Sequence, residues 1–323
     1  MKLQFVVSTQ TNPYLNIAVE NYLVGQPSAQ TVTMYLWRNR RTVVIGQNQN
    51  PYSECDVAAL EADGGYLMRR RTGGGAVYHD DGNINFSFVA PPDLYDQRRQ
   101  FTVIQRAVES FGLHTSLSGR NDIMVEDGEG ALRKFSGNAF SRGQHNNLHH
   151  GTILIRGNMA DLQRYLKPKP AKLLKHGVSS VQSRVVNLGE LNPAITSESI
   201  APRLREAFCA DYGREAAAEQ LDFDTLCREA EVQRLYAEFA SPEWKYGRWQ
   251  TFNAQRSAQF DWGMVDLSVE VADGRIADIQ VATDALELDA IDHLRTLVTG
   301  QPLDMRPPAT GNAMVDDMIG LIF

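Results

Sequence analysis

At 323 residues, with 43% hydrophobic and 22% charged content, the chain is long enough for two globular units, or for one large unit with an appendage. A formal charge of −7 argues against a general nucleic-acid binder, and no apolar run approaches the length of a membrane span. Cys55, Cys209 and Cys227 show no C-x-x-C spacing. That pattern excludes a disulfide framework or a cysteine zinc site and, with no signal-peptide core, predicts a reducing cytoplasm.

In chain order, Leu3 to Val7 reads as a strand, and Asn12 to Gly25 as a helix with Leu15, Ile17, Ala18, Tyr22 and Leu23 at helical spacing. Val32–Arg38 and Thr42–Gly46 read as two strands about a polar turn, and Cys55–Ala62 as a helix ended by Gly64-Gly65. Tyr66–Arg70 and Ala76–Tyr78 are predicted strands on either side of a glycine loop. Asn83–Val89 alternates Ile84, Phe86 and Phe88 with polar neighbours, the pattern of a half-buried strand. An amphipathic helix over Phe101–Phe111 follows, then strands at Asp122–Val125, Lys134–Phe140 and Gly151–Ile155. Strands bunched in hairpins with interspersed helices predict an α+β sheet rather than a parallel doubly wound one. A boundary is expected near Pro242–Trp249. Beyond it, Met264–Val271 and Arg275–Thr283 form a hairpin about Asp273-Gly274, with helices near Ala285–Val298 and Met314–Phe323.

The chemistry concentrates in Arg69-Arg70-Arg71-Thr72-Gly73-Gly74-Gly75-Ala76-Val77-Tyr78-His79-Asp80. Glycines let backbone N–H groups approach an anion, and arginine forks fit phosphate or carboxylate. The run is neither a P-loop nor a G-x-G-x-x-G turn, and by itself it also fits a tight hairpin turn with a solvated basic flank. Downstream come Gly119-Arg120-Asn121-Asp122-Ile123, Arg133-Lys134-Phe135-Ser136-Gly137-Asn138 and His149-His150-Gly151-Thr152. Taken singly, Asn121-Asp122 is turn composition and Lys134 a strand-end lysine. His149 and His150 are adjacent, so on a strand they point to opposite faces, and no nearby carboxylate or cysteine completes a zinc site.

Together with Asn16-Ile17-Ala18-Val19-Glu20, Trp37-Arg38-Asn39, Thr42–Gln47 and Ser180–Leu188, these segments resemble, in order and spacing, bacterial ATP-dependent lipoate–protein ligases over nearly the whole chain. The resemblance implies an α+β fold: a catalytic domain like that of biotin ligases and class II synthetases over 1–245, with a mixed or antiparallel sheet flanked by helices, and a small α+β accessory domain over 250–323. It implies activation of lipoate by ATP, with Mg2+, to lipoyl-AMP and pyrophosphate. The lipoyl group then passes to a lysine of lipoyl domains, in 2-oxoacid dehydrogenase E2 subunits and the glycine cleavage H protein. The expected state is a monomer, with no nucleic-acid or membrane partner. Lys134 is placed as the catalytic lysine touching both the carboxylate and the α-phosphate. Arg70, Gly75, Ala76, Val77, Tyr78, Asn121 and Asp122 fall on the adenylate-binding positions, with Asp122 also a candidate to order Lys134 or contact Mg2+. Arg70, Gly74, His79, His150, Trp37 and Lys134 are the lipoate-binding candidates. Arg69 and Arg71 read as flanking or pyrophosphate-side charges. Trp37, Val44, Gly73–Gly75 and a Val77–Phe88 hairpin are candidates to line an apolar tunnel.

Three rivals share some of these features. A cysteine-dependent octanoyl- or lipoyltransferase would need an activated thiol, and Cys55, in a predicted helix beside Asp56, has the opposite environment. A biotin ligase would carry a different arginine–glycine loop. A non-catalytic lipoate-binding protein would be expected to lack Lys134 or the glycine loop.

Overall fold

The computed structural model describes all residues except 29, 120, 168–184, 214–217, 247–253, 273–274 and 303–304. The first part of the chain runs β1 (Lys2–Val7), α1 (Pro13–Gly25), β2 (Thr31–Trp37), β3 (Thr42–Ile45), α2 (Pro51–Glu54), α3 (Val57–Ala62), β4 (Tyr66–Arg69), β5 (Val77–His79) and β6 (Asn83–Ala90). It continues through α4 (Gln97–Glu109), β7 (Thr115–Ser118), β8 (Asp122–Glu126), β9 (Leu132–Arg142), β10 (Asn147–Leu154), α5 (Met159–Tyr165), α6 (Leu188–Leu191) and α7 (Ser197–Asp211). Then come β11 (Glu219–Leu221), α8 (Phe223–Cys227), α9 (Ala230–Ala240) and α10 (Pro242–Tyr246), followed by β12 (Ala254–Phe260), β13 (Gly263–Ala272), β14 (Arg275–Thr283), α11 (Asp289–Val298) and α12 (Ala313–Ile322). No described helix is long and apolar enough to cross a membrane.

An eight-stranded mixed sheet in the order β11-β1-β2-β6-β10-β9-β8-β7 forms the centre of this α+β fold. Its faces are divided by strand alternation. On one, Phe86 and Phe88 of β6 pack with Phe101 and Ile104 of α4 and Leu204 and Phe208 of α7. On the other, Tyr35, Trp37 and Val89 meet Ile17 and Ala18 of α1 and Leu235 and Phe239 of α9. A three-stranded sheet, order β4-β3-β5, lies on this second side, and its Val44 and Met68 join the same core. Asn12 starts α1 by accepting from the amides of Tyr14 and Leu15, with Pro13 in the first turn.

Several sequence expectations are corrected. β2 and β3 sit in different sheets, because β3 leaves β2 to pair with β4 and β5. The strands flanking the glycine loop do not pair with each other: β3 lies between them, so the loop is a crossing and not a hairpin turn. Nor is Val77–Phe88 a hairpin, since β6 belongs to the large sheet. β6 is buried along its whole length rather than half-buried, because both of its faces are covered. Cys55 lies between α2 and α3, where Asp56 breaks the predicted helix by capping α3 through the Ala59 amide. β12 was not foreseen; it completes a sheet of order β12-β13-β14 over its own apolar cluster, which includes Val265, Leu294 and Met318. The Asp273-Gly274 turn, the segment 180–184 and the boundary residues 247–249 lie outside the described residues.

Candidate active site

The candidate site is the seam, or trough, where the inward faces of the two sheets of the first part of the chain meet. Its floor is one transverse row of the large sheet. Trp37 pairs with Asn85, Asn85 with Thr152, the Thr152 hydroxyl accepts from the Gly137 amide, and Gly137 pairs with Asp122. Four inter-strand steps of about 4.8 Å make this row roughly 19 Å long. Asp122 accepts from Lys134, with Nζ to Oδ1 at 2.7 Å. In a regular strand, residues 134 and 137 would point to opposite faces. A register shift between Ile123 and Met124 inserts an extra residue into β9, and it brings both onto the trough face. The Lys134 ammonium consequently lies over Gly137, so close that a Cβ there would come within 3.0 Å of Nζ.

The roof carries Val44, Met68, Arg70, Val77 and His79, which share the inward face of the small sheet by register. Arg70 is buried and serves the loop that follows it. Nη2 donates to the carbonyls of Gly73 at 2.6 Å and Gly75 at 2.9 Å, and Nε to the Thr72 hydroxyl at 3.0 Å. Burial brings its pKa down to about 10, which leaves it charged at neutral pH, and Glu20 opposes that shift. Glu20, buried on α1, accepts from the Ser87 hydroxyl at 2.5 Å and pairs with His150 Nδ1 at 2.8 Å. His150 Nε2 meets the Thr72 hydroxyl at 2.8 Å, so the chain Glu20–His150–Thr72–Arg70 links a buried anion to a buried cation. Such a chain answers the heavy cost of burying either charge alone.

His150 and His149 do point to opposite faces. His149 is held in the apolar core by Gln100 and Asn138, and burial lowers its pKa well below the usual range. His79 faces the trough, beside Trp37 with ring centroids 6.3 Å apart. Burial, Arg70 and His150 push its pKa down to about 3, so the ring is neutral.

The three arginines have separate tasks. Arg69 donates to the carbonyls of Gln47, Gln49, Trp244 and Lys245. Arg71 turns away from the trough, pairs with Glu238 at 2.5 Å and lies over the rings of Phe239 and Trp244. The basic run therefore fastens the glycine loop to α9 and α10. On the loop's other side the Gly74 amide, at φ 89°, donates to the Ala285 carbonyl at 2.8 Å. Gly75 is open, Tyr78 points outward to Asp161, and the side chain of Asn121 donates to the Asn138 carbonyl.

Sequence reading did not find Glu20, Thr72, Asn85 or Thr152. The one available clue was a glutamate on the apolar side of α1. Phe86 and Phe88 lie on the face away from the trough and line no part of it. Neither Cys55 nor Cys227 is activated: burial, with Asp56, pushes the Cys55 thiol up to about 12, and burial pushes Cys227 up to about 11.

Residues 12–209 match the lipoyl protein ligase A/B catalytic domain, and 250–306 match the bacterial lipoate protein ligase C-terminus. The chain is 40% identical to lipoate-protein ligase A of Psychrobacter cryohalolentis over 91% of its own length and 87% of the relative's. It is 36% identical to that of Bdellovibrio bacteriovorus, over 93% and 88%. The crystal structure of P. falciparum LipL1 in complex with lipoate superimposes with a TM-score of 0.84, at 28% identity, over 99% of both chains. A lipoate-protein ligase A bound with ATP shares the fold with a TM-score of 0.64, at 22% identity, over 76% of this chain and 99% of that one.

Proposed function

Because the chain belongs to the lipoate–protein ligase family, we propose that it joins lipoate to protein in two steps within the trough. In the first, a lipoate carboxylate oxygen attacks the α-phosphorus of ATP, the bond to the β-phosphate breaks, and pyrophosphate leaves. In the second, a lysine amine of the acceptor attacks the acyl carbonyl of lipoyl-AMP, and AMP leaves. The single observation that carries this reading is the Lys134–Asp122 pair at one end of a trough whose other end is the apolar Trp37.

Both steps need positive charge where oxygens crowd together, and little covalent help from protein. A compact ammonium such as Lys134 can follow two oxygens whose separation changes, and Asp122 keeps it over Gly137. Arg70 fixes the loop carbonyls, so that the backbone from Gly75 to Tyr78 is rigid where it meets the adenylate. Asn121 and Asp122 border the nucleotide end. Asp122 is the carboxylate at the nucleotide end that would hold Mg2+, which would supply counter-charge to the ATP phosphates. His150, His79, Gly74 and Trp37 line the acyl side. The proposed acceptors are lipoyl domains of 2-oxoacid dehydrogenase E2 subunits and the glycine cleavage H protein. A T. acidophilum ligase has been solved in a study with its E2 lipoyl domain, which supports this class. We assign 1–245 to catalysis and 250–323 to an accessory domain.

The test is ATP–pyrophosphate exchange with lipoate, octanoate or biotin supplied singly. Lipoate-dependent exchange is expected. Acyl transfer from an acyl carrier protein without any nucleotide would replace this mechanism by a thioester one.

A further inference from the structure

Three buried polar atoms near the Trp37 end have no partner among the described residues: His79 Nε2, Asn85 Nδ2 and Glu20 Oε1. The tautomer of His79 follows from a chain of amides. Asn16 places its amide nitrogen 2.8 Å from the Arg38 carbonyl, which can only accept, so that atom is the donor. The same Asn16 Nδ2 faces Asn39 Oδ1 at 3.1 Å, while Asn16 Oδ1 accepts from the Tyr35 hydroxyl. Asn39 must then present Nδ2 to His79 Nδ1, at 3.3 Å. His79 Nδ1 accepts, and the ring proton is on Nε2. Asn85 meets Asn83 amide to amide at 3.0 Å, and the second end of its amide has no partner. The oriented His79 Nε2–H donor and the Asn85 amide, both in buried side chains, thus lie at the Trp37 end without partners.

Distance identifies what reaches them. Lys134 Nζ stands over Gly137 on β9, and Asn85 is two strands away, roughly 10 Å along the row. An eight-carbon acyl chain gains about 1.2 Å per bond and so reaches about 8 Å from its carboxylate. With the carboxylate accepting from Lys134 about 3 Å beyond Nζ, the far end of the chain comes level with Asn85, one strand short of Trp37 and the His79 ring beside it, so those two side chains face it from beyond. In lipoate that end carries two sulfurs, which are weak hydrogen-bond acceptors; in octanoate it carries none.

We propose that Asn16 and Asn39 are positioning residues for substrate selection: they hold His79 as an Nε2–H donor toward the sulfur-bearing end of the acyl chain, so that lipoate is preferred over octanoate. This rests on the lipoate reading above. A site with oriented buried donors rejects an analogue without acceptors, because the donors stay unpaired.

The test uses the full-length protein at pH 8, labelled with 15N-histidine, with His79→Gln to assign the ring signals. Wild type should show a protonated Nε2 and an unprotonated Nδ1 at His79. In Asn39→Asp the carboxylate accepts from Nδ1, so the proton should move there, and the lipoate-to-octanoate ratio of kcat/KM in exchange should fall about threefold, as for one weak hydrogen bond to sulfur lost. The loss should appear in KM for lipoate rather than in kcat. His79→Phe, which does not depend on the relay, should reduce the ratio in the same way. A wild-type ring protonated at Nδ1, or an unchanged ratio in either variant, overturns the proposal. Absence of lipoate-dependent exchange in wild type overturns the ligase reading instead, and the ring signals still report the tautomer.

Discussion

Replacing Lys134 by alanine separates chemistry from folding. Lys134 Nζ and Asp122 Oδ1 are 2.7 Å apart, and the two side chains are 34% and 33% exposed, so the pair is solvent-screened. Its loss should cost about 0–1 kcal/mol of stability, or at most a few degrees in Tm. Backbone contacts of the residue, such as the Val186 amide donating to its carbonyl, survive the substitution. The rate should respond far more, because a preorganised charge that faces developing negative charge is worth about 3–4 kcal/mol, or 10²–10³ in rate. Lys134→Arg should not rescue. The ammonium already sits against the Gly137 backbone, and a wider planar cation has no room at that point. The assay is single-turnover adenylation together with transfer from preformed lipoyl-adenylate, with Tm as the folding control. Both steps should fall. Near-normal rates in both would refute the assignment and leave the loop backbone to carry the site.

Joint replacement of Cys55, Cys209 and Cys227 by alanine should leave ligation largely intact in exchange and transfer assays, since the Cys55 and Cys227 thiols are pushed up to about 12 and about 11; abolished turnover in the folded variant would favour a thioester route. Gly73→Ala should loosen the contact with the chain after β14, because its Cβ would meet the Ala285 carbonyl at 2.3 Å; faster hydrogen exchange at the Gly74 amide is the readout. His79 titrates near 6.5 when unfolded and at about 3 when folded, so only the unfolded state takes up its proton in between, and stability falls as pH drops through that window. The slope is at most about 1.4 kcal/mol per pH unit for one group, and urea titrations from pH 7 to pH 4 should show a shallower decline in His79→Gln than in wild type.

Local patterns were legible wherever one interaction fixed them. Asn12-Pro13 announced α1, and Asp122–Val125 and Arg275–Thr283 were visible as strands. What remained hidden depended on partners distant in sequence. Alternation in Asn83–Val89 reads as half-buried, yet Asn83, Asn85 and Ser87 are enclosed because the small sheet and α1 cover that face. Lys134 and Asp122 could be singled out, but not the bulge that places Lys134 above Gly137, since its cause is pairing with β8. Glu20 stood out only as a glutamate on the apolar side of α1. Only the fold brings it to His150, 130 positions away.

The arginine run shows why charge content alone misleads about a site. Three adjacent guanidinium groups suggest a surface built to grip phosphate, yet each is committed to the protein itself. Arg69 gathers carbonyls from the β3 turn and α10, Arg71 is held by Glu238 and two aromatic rings, and Arg70 gathers those of Gly73 and Gly75. A peptide plane is rigid and trans, so a carbonyl drawn toward Arg70 sends the following N–H the opposite way. At Gly73 this is visible, because the next amide, that of Gly74, points outward to Ala285. The same rule aims the Ala76 amide away from Arg70. Arg70 acts here by setting the direction of backbone dipoles that glycine alone would leave free to rotate. Lysine at this position would keep the charge but could not serve the Thr72 hydroxyl and both carbonyls from one plane. The proposed adenylate would therefore meet a loop whose backbone is already aimed, with Lys134 as the proposed mobile charge.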